Sequence, residues 1–459
     1  MPQSSSAYGI PDRTSYGDTS KLSPGQLVGF IDQLHDAIRA KRHHDIRIGS
    51  PELGLLSWVA RKGLPGPGEK HLAVRQPLHS YDYGSFEGEI PKGQYGAGTV
   101  KKQEQGQALI TKVTPESVHF TLAHRGSPQR MALIKPKGQD DKNWLLINTT
   151  PTKPLSEFPK SKYKTVPASK AEDLLKSLQP GASVQAKVDG AHNLAVLGKE
   201  KMELMSPRTS KATGHPITYT EKFFGGRSPL KIPKELEGSV LSGEIYGTRK
   251  GKSIPPQELG GILNATIANA LQKKRERGVD LRNLLFDVRQ FGKTPVSVGT
   301  PYSERMKMLE QILPHLPADQ FHLPEQATNP EEALKLWRSV VGGKHPLTRE
   351  GVVIHPQTGK PSKIKQTAEH DVVIKGFSPG KGKYTGKGIG AFTYADPSAL
   401  HKILGEVGTG LSDELRKGMF IDPESYLGRT ARVKAQERYP SGALRAPALI
   451  SLHEDISAK

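Results

Sequence analysis

Lys187 stands at the end of an alternating stretch, in QAKVDGAHN. A lysine followed by an Asp-Gly turn is common and says little alone. Further along lie, in order, MSPRTS with Ser206 and Arg208, LSGEIYG with Glu244, LFDVRQF with Phe286, EGVVIHP with Glu350, and SKIKQ with Lys363 and Lys365. Each is a short strand or strand end bearing one charged or aromatic residue. The chemistry that needs such a set is nucleotidyl transfer through a covalent lysine adduct. The amine attacks the α-phosphorus and displaces pyrophosphate, for which it must be deprotonated; neighbouring cations, a metal and partial burial favour that state. Glu244 and Glu350 can hold a divalent ion and the ribose, Lys363 and Lys365 can stabilise the phosphates, and Phe286 can stack on the base.

A second constellation lies near the amino terminus. FIDQLHDAIRAKRHHDIRIG holds His35, His43, Asp45 and Arg47, and in a strand the last three alternate onto one face. Two imidazoles and a carboxylate suit Mn²⁺ or a related divalent ion with open positions. LHSYDYGSFEGEIPKGQYGAG adds His79 and Tyr83 beside a Gly-rich turn. A metal beside Arg, His and Tyr suits phosphate ester cleavage, because the ion polarises the phosphoryl group while Arg and His neutralise developing charge.

These residues need elements to hold them. Residues 1–24 read as a disordered tail. Residues 25–149 read as a Gly-rich, strand-rich block with one early helix, and 150–166 as a Pro/Lys/Ser linker. In 167–366 short strands alternate with helical stretches (PPQELGGILNATIANALQKK, SERMKMLEQIL, NPEEALKLWRSV), and Asn329–Pro330 is a good helix start. Residues 367–459 open with the strand DVVIKGF and are again Gly-rich. A length of 459 residues predicts several domains, and the 48 glycines and 36 prolines predict turns and short strands. The chain has no cysteine, which excludes disulfides, zinc fingers and thiol catalysis. No apolar run reaches a membrane span, and the polar stretch from Met1 to Leu22 does not read as a secretory signal. A soluble protein of the cytoplasm or nucleoid is expected. The net charge of +20 predicts a polyanionic partner.

The lysine motifs resemble, in order and spacing, the covalent nucleotidyltransferase superfamily of ATP-dependent DNA ligases, RNA ligases and capping enzymes. KVDGAH is similar to motif I, SPR to Ia, SGEIYG to III, FDVRQF to IIIa, EGVVIH to IV and SKIKQ to V. The resemblance implies that Lys187 is the nucleophile. It implies that Gln185, Asp189, Gly190, His192, Arg208, Glu244, Phe286, Glu350, Lys363 and Lys365 line the ATP site, with Gln185 facing the adenine. Glu244 and Glu350 would hold Mg²⁺ or Mn²⁺. DVVIKGFSPGKGKYTGKGIGAF resembles the first strands of the OB-fold of ligases, and SGALRAPALISLHED the last ligase motif, making Arg445 a contact to the ATP tail. Two positions depart from the pattern: His192 stands where motif I has Arg, and Ser242 where motif III has an acid.

HDAIRAKRHHDIRI, SWVARKG and HSYDYGSFEGEIPKGQYGAG are similar to the 3′-phosphoesterase domain of bacterial DNA ligase D. The resemblance implies that His35, His43 and Asp45 bind Mn²⁺ or a similar divalent ion, and that Arg47, Lys62, His79 and Tyr83 bind or act on the phosphate. His35 and His43 are two residues further apart than in that pattern, His44 replaces a tyrosine, and His71 stands where arginine is usual.

The implied fold class is α+β and multidomain: a small barrel-like phosphoesterase domain, a central α+β nucleotidyltransferase domain and a carboxy-terminal OB-fold barrel. The implied protein is a monomeric, ATP-dependent DNA ligase. It would seal nicks or breaks through lysyl-AMP and an AMP-capped 5′-phosphate, with a metal-dependent domain removing 3′-phosphates or 3′-ribonucleotides. Its partners would be nicked or broken duplex DNA and a DNA-end-binding repair protein. Two alternatives stand beside it: an RNA ligase acting on RNA or RNA/DNA hybrid ends, which His192 motivates, and a catalytically decayed nucleic-acid scaffold.

Overall fold

The computed structural model describes residues 15–125, 128–138, 140–150, 163–199, 201–209, 216–226, 230–436, 438–439 and 441–457. Most of the expected linker and the first part of the expected tail lie outside these residues. Two compact units make up the chain, one of residues 1–161 with 189–324 and one of 162–188 with 325–459.

The amino-terminal part is built from nine strands: β1 (Leu27–Ala37), β2 (Lys41–Ser50), β3 (Gly54–Ala60), β4 (Lys70–His79), β5 (Gly88–Ile90), β6 (Gly98–Thr114), β7 (Ser117–Leu122), β8 (Gln129–Ile134) and β9 (Asn143–Asn148). They pair in the order β1-β2-β3-β4-β9-β8-β7-β6, and β6 returns to pair with β1. The sheet thus closes into an eight-stranded barrel, with β5 on the far side of β6. Closure leaves no free edge among the eight. Phe30, Ile46, Ile48, Trp58, Phe120 and Trp144 fill the core with at most 1% exposure. Burying each such side chain is worth about 1.5–3 kcal/mol.

Two expectations change here. The early helix is not formed: Leu27–Ala37 is a strand, held on both sides by β2 and β6. Residues 15–24 of the expected tail belong to the fold. Leu78 N–H donates to Ser15 C=O, Asp18 caps a short 3-10 turn, and Leu22, 3% exposed, joins the barrel core.

The chain continues through β10 (Lys164–Pro167), α1 (Ala171–Lys176) and β11 (Ser183–Ala186). The stretch from 189 to 324 holds β12 (Ala191–Leu197), β13 (Met202–Thr209), β14 (Pro216–Thr218), α2 (Thr220–Phe224), β15 (Val240–Arg249), β16 (Lys252–Ser253), α3 (Pro256–Leu263), α4 (Ile267–Arg277), β17 (Asp280–Phe291), β18 (Thr294–Pro295), α5 (Tyr302–Ile312) and β19 (Phe321–His322). Its sheet runs β14-β13-β12-β15-β17-β18, and α3, α4 and α5 pack over an apolar face that includes Leu241, Ile245 and Leu285. This lobe and the barrel belong to the same unit.

In the other unit, α6 (Pro330–Val341), β20 (Gly351–His355) and β21 (Ser362–Lys365) join β10, α1 and β11. The sheet order is β10-β21-β20-β11. The Asn329 side chain accepts from Glu332 N–H and Pro330 opens α6, as the sequence predicts. Beyond lie β22 (Ala368–Pro379), β23 (Ile389–Asp396), β24 (Ala399–Val407), α7 (Asp413–Ile421), β25 (Arg429–Ala435) and β26 (Ala448–Ser457). These strands form a five-stranded sheet ordered β24-β23-β22-β25-β26 over a core of Val372, Ile374, Phe392, Tyr394 and Val433.

Candidate active sites

Residues of β1–β3 alternate between the barrel core and the outer face. On the outer face stand Gln33 and His35 of β1, His43, Asp45 and Arg47 of β2, and Ser57 of β3, all buried. The segment after β4 covers them. Gly84 packs so tightly on Ile31 that a Cβ there would lie 2.1 Å from its Cδ1.

His35 lies directly opposite His43 in the antiparallel β1–β2 ladder. Two further residues in a hairpin add one rung, one residue per strand, so the opposite pairing survives the wider sequence separation. The ligand atoms of His35, His43 and Asp45 all lie within 4.8 Å of one another. His35 Nδ1 is 3.6 Å from Asp45 Oδ2, and His43 Nε2 is 3.8 Å from Asp45 Oδ1. The other ring nitrogens are anchored to carbonyls: His35 Nε2 to Gly96 at 2.8 Å and His43 Nδ1 to Lys41 at 2.7 Å. When neutral, each imidazole thereby has its free lone pair on the Asp45 side, the arrangement in which outer partners orient metal-binding histidines. The donor set fits a divalent ion.

Arg47 closes one side. Its Nη2 is 3.1 Å from Asp45 Oδ2, its Nη1 donates to Ser57 Oγ at 2.7 Å, and its guanidinium sits 5.1 Å from the Tyr83 ring centre. Burial alone would raise the Asp45 pKa, but Arg47 and the two imidazoles outweigh it and hold the carboxyl at about 2. His79 is pushed down to about 3 by burial and then by Arg47, so it is neutral near pH 7. Its ring centre lies 5.2 Å from that of Tyr83, whose pKa burial raises. Lys62 is exposed in the turn after β3. The two histidine departures have structural partners: His44 Nδ1 is 2.8 Å from Asp32 Oδ1, and His71 Nδ1 is 2.9 Å from Gly63 C=O. Sequence reasoning missed Gln33 and Ser57, which bond Arg47 on two sides.

The lysine motifs are shared between the two units, and motif I itself passes from one to the other between Val188 and Asp189. In one unit, Lys187 follows β11, and its N–H donates to Gly351 C=O at 2.9 Å. Lys187 Nζ donates to Glu350 Oε2 at 2.7 Å, and Lys365 Nζ lies 2.6 Å from Glu350 Oε1. Burial alone would raise the Glu350 pKa; the two ammonium groups lower it instead. Thr348 Oγ1 donates to Lys187 C=O at 2.6 Å and accepts Glu350 N–H at 2.9 Å, tying the backbones of Lys187 and Glu350 to one hydroxyl. Gln185 is buried opposite Val353, also the register partner of Lys363. Arg445 lies between β25 and β26, where its C=O accepts Gln436 N–H.

In the other unit, Glu244 on β15 accepts Gly190 N–H at 3.1 Å. A Cβ at Gly190 would lie 2.1 Å from Ile245 O, so the motif requires glycine there. His192 is the register partner of Glu244, and its ring centre lies 5.8 Å from that of Phe286. Arg208 lies on β13, with its side chain outside the described residues. Ser242, in place of the usual acid, accepts Arg289 Nε–H at 2.9 Å, and Arg289 also pairs with Asp287.

The barrel thus carries a donor set that fits a divalent ion, and the second unit a lysine paired with a buried carboxylate. Residues 33–135 match the DNA ligase D 3′-phosphoesterase domain, and residues 164–366 match the ATP-dependent DNA ligase domain. The two matches lie in succession, the first on the barrel and the second on the region that follows it. Among curated relatives, the multifunctional non-homologous end joining protein LigD of Mycolicibacterium smegmatis is 35% identical over 128 residues, 25% of this chain and 16% of that protein. LigD of Pseudomonas aeruginosa is 43% identical over 83 residues, 17% of this chain and 9% of that protein. The chain therefore spans only a small part of these relatives. A solved structure from a study of Lig E DNA ligases has a TM-score of 0.45 and 17% identity, covering 64% of this chain and 98% of that one. No helix among the described residues is long and apolar enough to cross a membrane.

Proposed function

We propose that this chain seals breaks in duplex DNA through a lysine-bound AMP, and that its barrel clears blocked 3′ ends first. The observation that carries the reading is the Lys187–Glu350–Lys365 relay, in which one buried carboxylate orients the candidate nucleophile and a second cation. The Lys187 amine attacks the α-phosphorus of ATP, a P–N bond forms, and the bond to pyrophosphate breaks. Lys363 and Lys365 offset charge on the phosphates, Glu244 meets the ribose, and Phe286 and Gln185 meet the base. AMP then passes to the 5′-phosphate, and the 3′-hydroxyl displaces it to make the phosphodiester.

In the barrel, His35, His43 and Asp45 would hold a divalent ion such as Mn²⁺, which supplies polarisation of the phosphoryl group. Arg47 neutralises a phosphate oxygen. His79, neutral and half-buried, and Tyr83 would act beside the phosphate, and Lys62, exposed in the turn after β3, would supply a further cation. Glu244 and Glu350 are the candidate ligands for Mg²⁺ or Mn²⁺ at the ligase site.

The five-stranded sheet of β22–β26 supports an OB-fold at residues 367–459, behind a phosphoesterase domain at 25–149 and an adenylation domain at 167–366. Its substrate is a nick or break in intracellular DNA, met as a monomer or beside an end-binding protein. Labelled ATP tests the reading. A covalent adduct that Lys187→Ala abolishes, with sealing of nicked DNA in preference to nicked RNA or hybrid duplexes, supports it. Absence of any adduct refutes it, and preference for RNA nicks selects the RNA-repair alternative.

A further inference from the structure

The outer wall of the barrel at β6–β8 meets the lobe of residues 189–324 through an ion cluster and an apolar patch. Arg130 on β8 is the centre of the cluster, its side chain only 11% exposed. Its Nε donates to Glu221 Oε1 at 2.6 Å, and its Nη1 donates to Glu203 Oε2. Thr121 Oγ1 on β7 donates to the same oxygen of Glu221 at 3.3 Å. Glu221 on α2 is 3% exposed, and Glu203 on β13 is largely covered. Beside the cluster, Leu109 and Ala123 of the barrel pack with Ile267 and Leu271 of α4. Ile267 N–H donates to Ala123 C=O at 3.1 Å. The backbones come close as well: a Cβ at Gly226 would lie 3.1 Å from Gly25 Cα and from Ile110 O.

A guanidinium loses its hydration on burial, and carboxylates must replace the lost water. Here both carboxylates come from the other domain. Two buried carboxylates would conversely face each other's charge without Arg130 between them. The two surfaces therefore complete one another in charge as well as in shape.

We infer that this wall is a permanent docking surface: barrel and lobe move as one body, and Arg130 is the charge that specifies the match. An enzyme gripping DNA through the lobe then holds the barrel at one fixed bearing. It does not sweep the barrel through a volume set by the length of a tether. The inference stands whichever 3′ ends the barrel trims.

The chain has no cysteine, so introduced ones take labels uniquely. Lys142→Cys on the barrel and Arg275→Cys on α4 place spin labels at exposed positions of the full chain. Pulsed dipolar spectroscopy should give one narrow distance distribution. Arg130→Glu should broaden it, and adding Glu221→Arg should narrow it again. A broad distribution with the interface unaltered overturns the docking. A narrow distribution that Arg130→Glu leaves unchanged, or a broadening that the swap does not reverse, overturns the role of Arg130. Arg130→Met, which removes the charge without reversing it, should give an intermediate width if the barrel of the Arg130→Glu chain fails to fold.

Discussion

Arg47 donates its Nε hydrogen to Gln33 Oε1 at 2.9 Å, and Gln33 hands its own amide hydrogens to the Phe86 carbonyl at 2.9 Å and the Tyr83 carbonyl at 3.4 Å. Gln33 has no exposed surface. One amide thus fixes both the guanidinium and the turn that presents Tyr83. Gln33→Leu keeps the approximate volume and strands a buried donor on Arg47, a loss of about 1–3 kcal/mol. We expect 3′-phosphate release to slow by roughly 10- to 100-fold, mostly in kcat, with sealing of a clean nick unchanged. A mutant with normal release kinetics would leave Gln33 as packing alone.

Removing a ligand should separate the two activities. His43→Ala or Asp45→Ala takes one donor from a set of three, which removes much of the affinity for a divalent ion. Trimming should be lost while adduct formation and sealing persist. Mn²⁺ titration followed by electron paramagnetic resonance reads the binding directly, and wild-type affinity in both variants would rule out this set as the metal site.

The Lys187–Glu350 pair makes a prediction about order. Glu350→Gln keeps the shape and removes the charge that holds both Lys187 and Lys365. Adduct formation from ATP should fall by roughly 100-fold, in line with the loss of a positioned charged group, while Lys187→Ala gives none. Gel analysis of labelled protein distinguishes the two. Equal, complete loss in both would make Glu350 a structural support.

Arg445 lies in the segment similar to the last ligase motif. If it orients the departing pyrophosphate, Arg445→Ala should cripple adduct formation yet seal a nick already capped with AMP nearly as well as wild type. Equal loss of both steps would assign it to DNA binding or to the fold.

A pH effect follows from Lys222. Its Nζ donates to Leu263 C=O at 2.6 Å inside the lobe, and burial, only partly offset by Glu221, lowers its pKa from 10.5 to about 8. Between those values the unfolded chain binds the proton and the folded chain does not. Stability therefore gains from this group as pH rises from about 8 toward 10.5, and the charged form is a cost below that window. Lys274, also near 8, acts in the same direction. Lys222→Met should flatten the rise in urea-unfolding free energy between about pH 8 and pH 9.5. An unchanged slope would mean that Lys222 stays hydrated.

Much of the placement of the candidate residues was readable from spacing. His43, Asp45 and Arg47 alternate as a strand requires, and the six lysine motifs fall on strands or strand ends. The early segment was misread because Phe30, Ile31, Leu34, Ala37 and Ile38 mimic a helical period. In a barrel, a strand covered on its outer face is buried on both sides and takes apolar residues on either, so periodicity stops discriminating. That misreading hid Gln33, whose position two residues before His35 matters only in a strand. Arg130 was invisible for a different reason: nothing in QRMALI names carboxylates 73 and 91 residues away.

The β1–β2 hairpin has a consequence for how this protein can vary. The ladder continues past His35 and His43 through Asp36–Arg42 to Ala37–Lys41, where Lys41 takes a positive φ of 63° and the chain reverses. Chain length at that tip can drift in steps of two, each step a rung added or removed beyond the histidines. A single added residue has no partner across the ladder and must bulge the loop or slip one strand, and a slip would carry His43 to the core side. Among natural variants, the distance between the two histidines should therefore keep its parity even where its length changes.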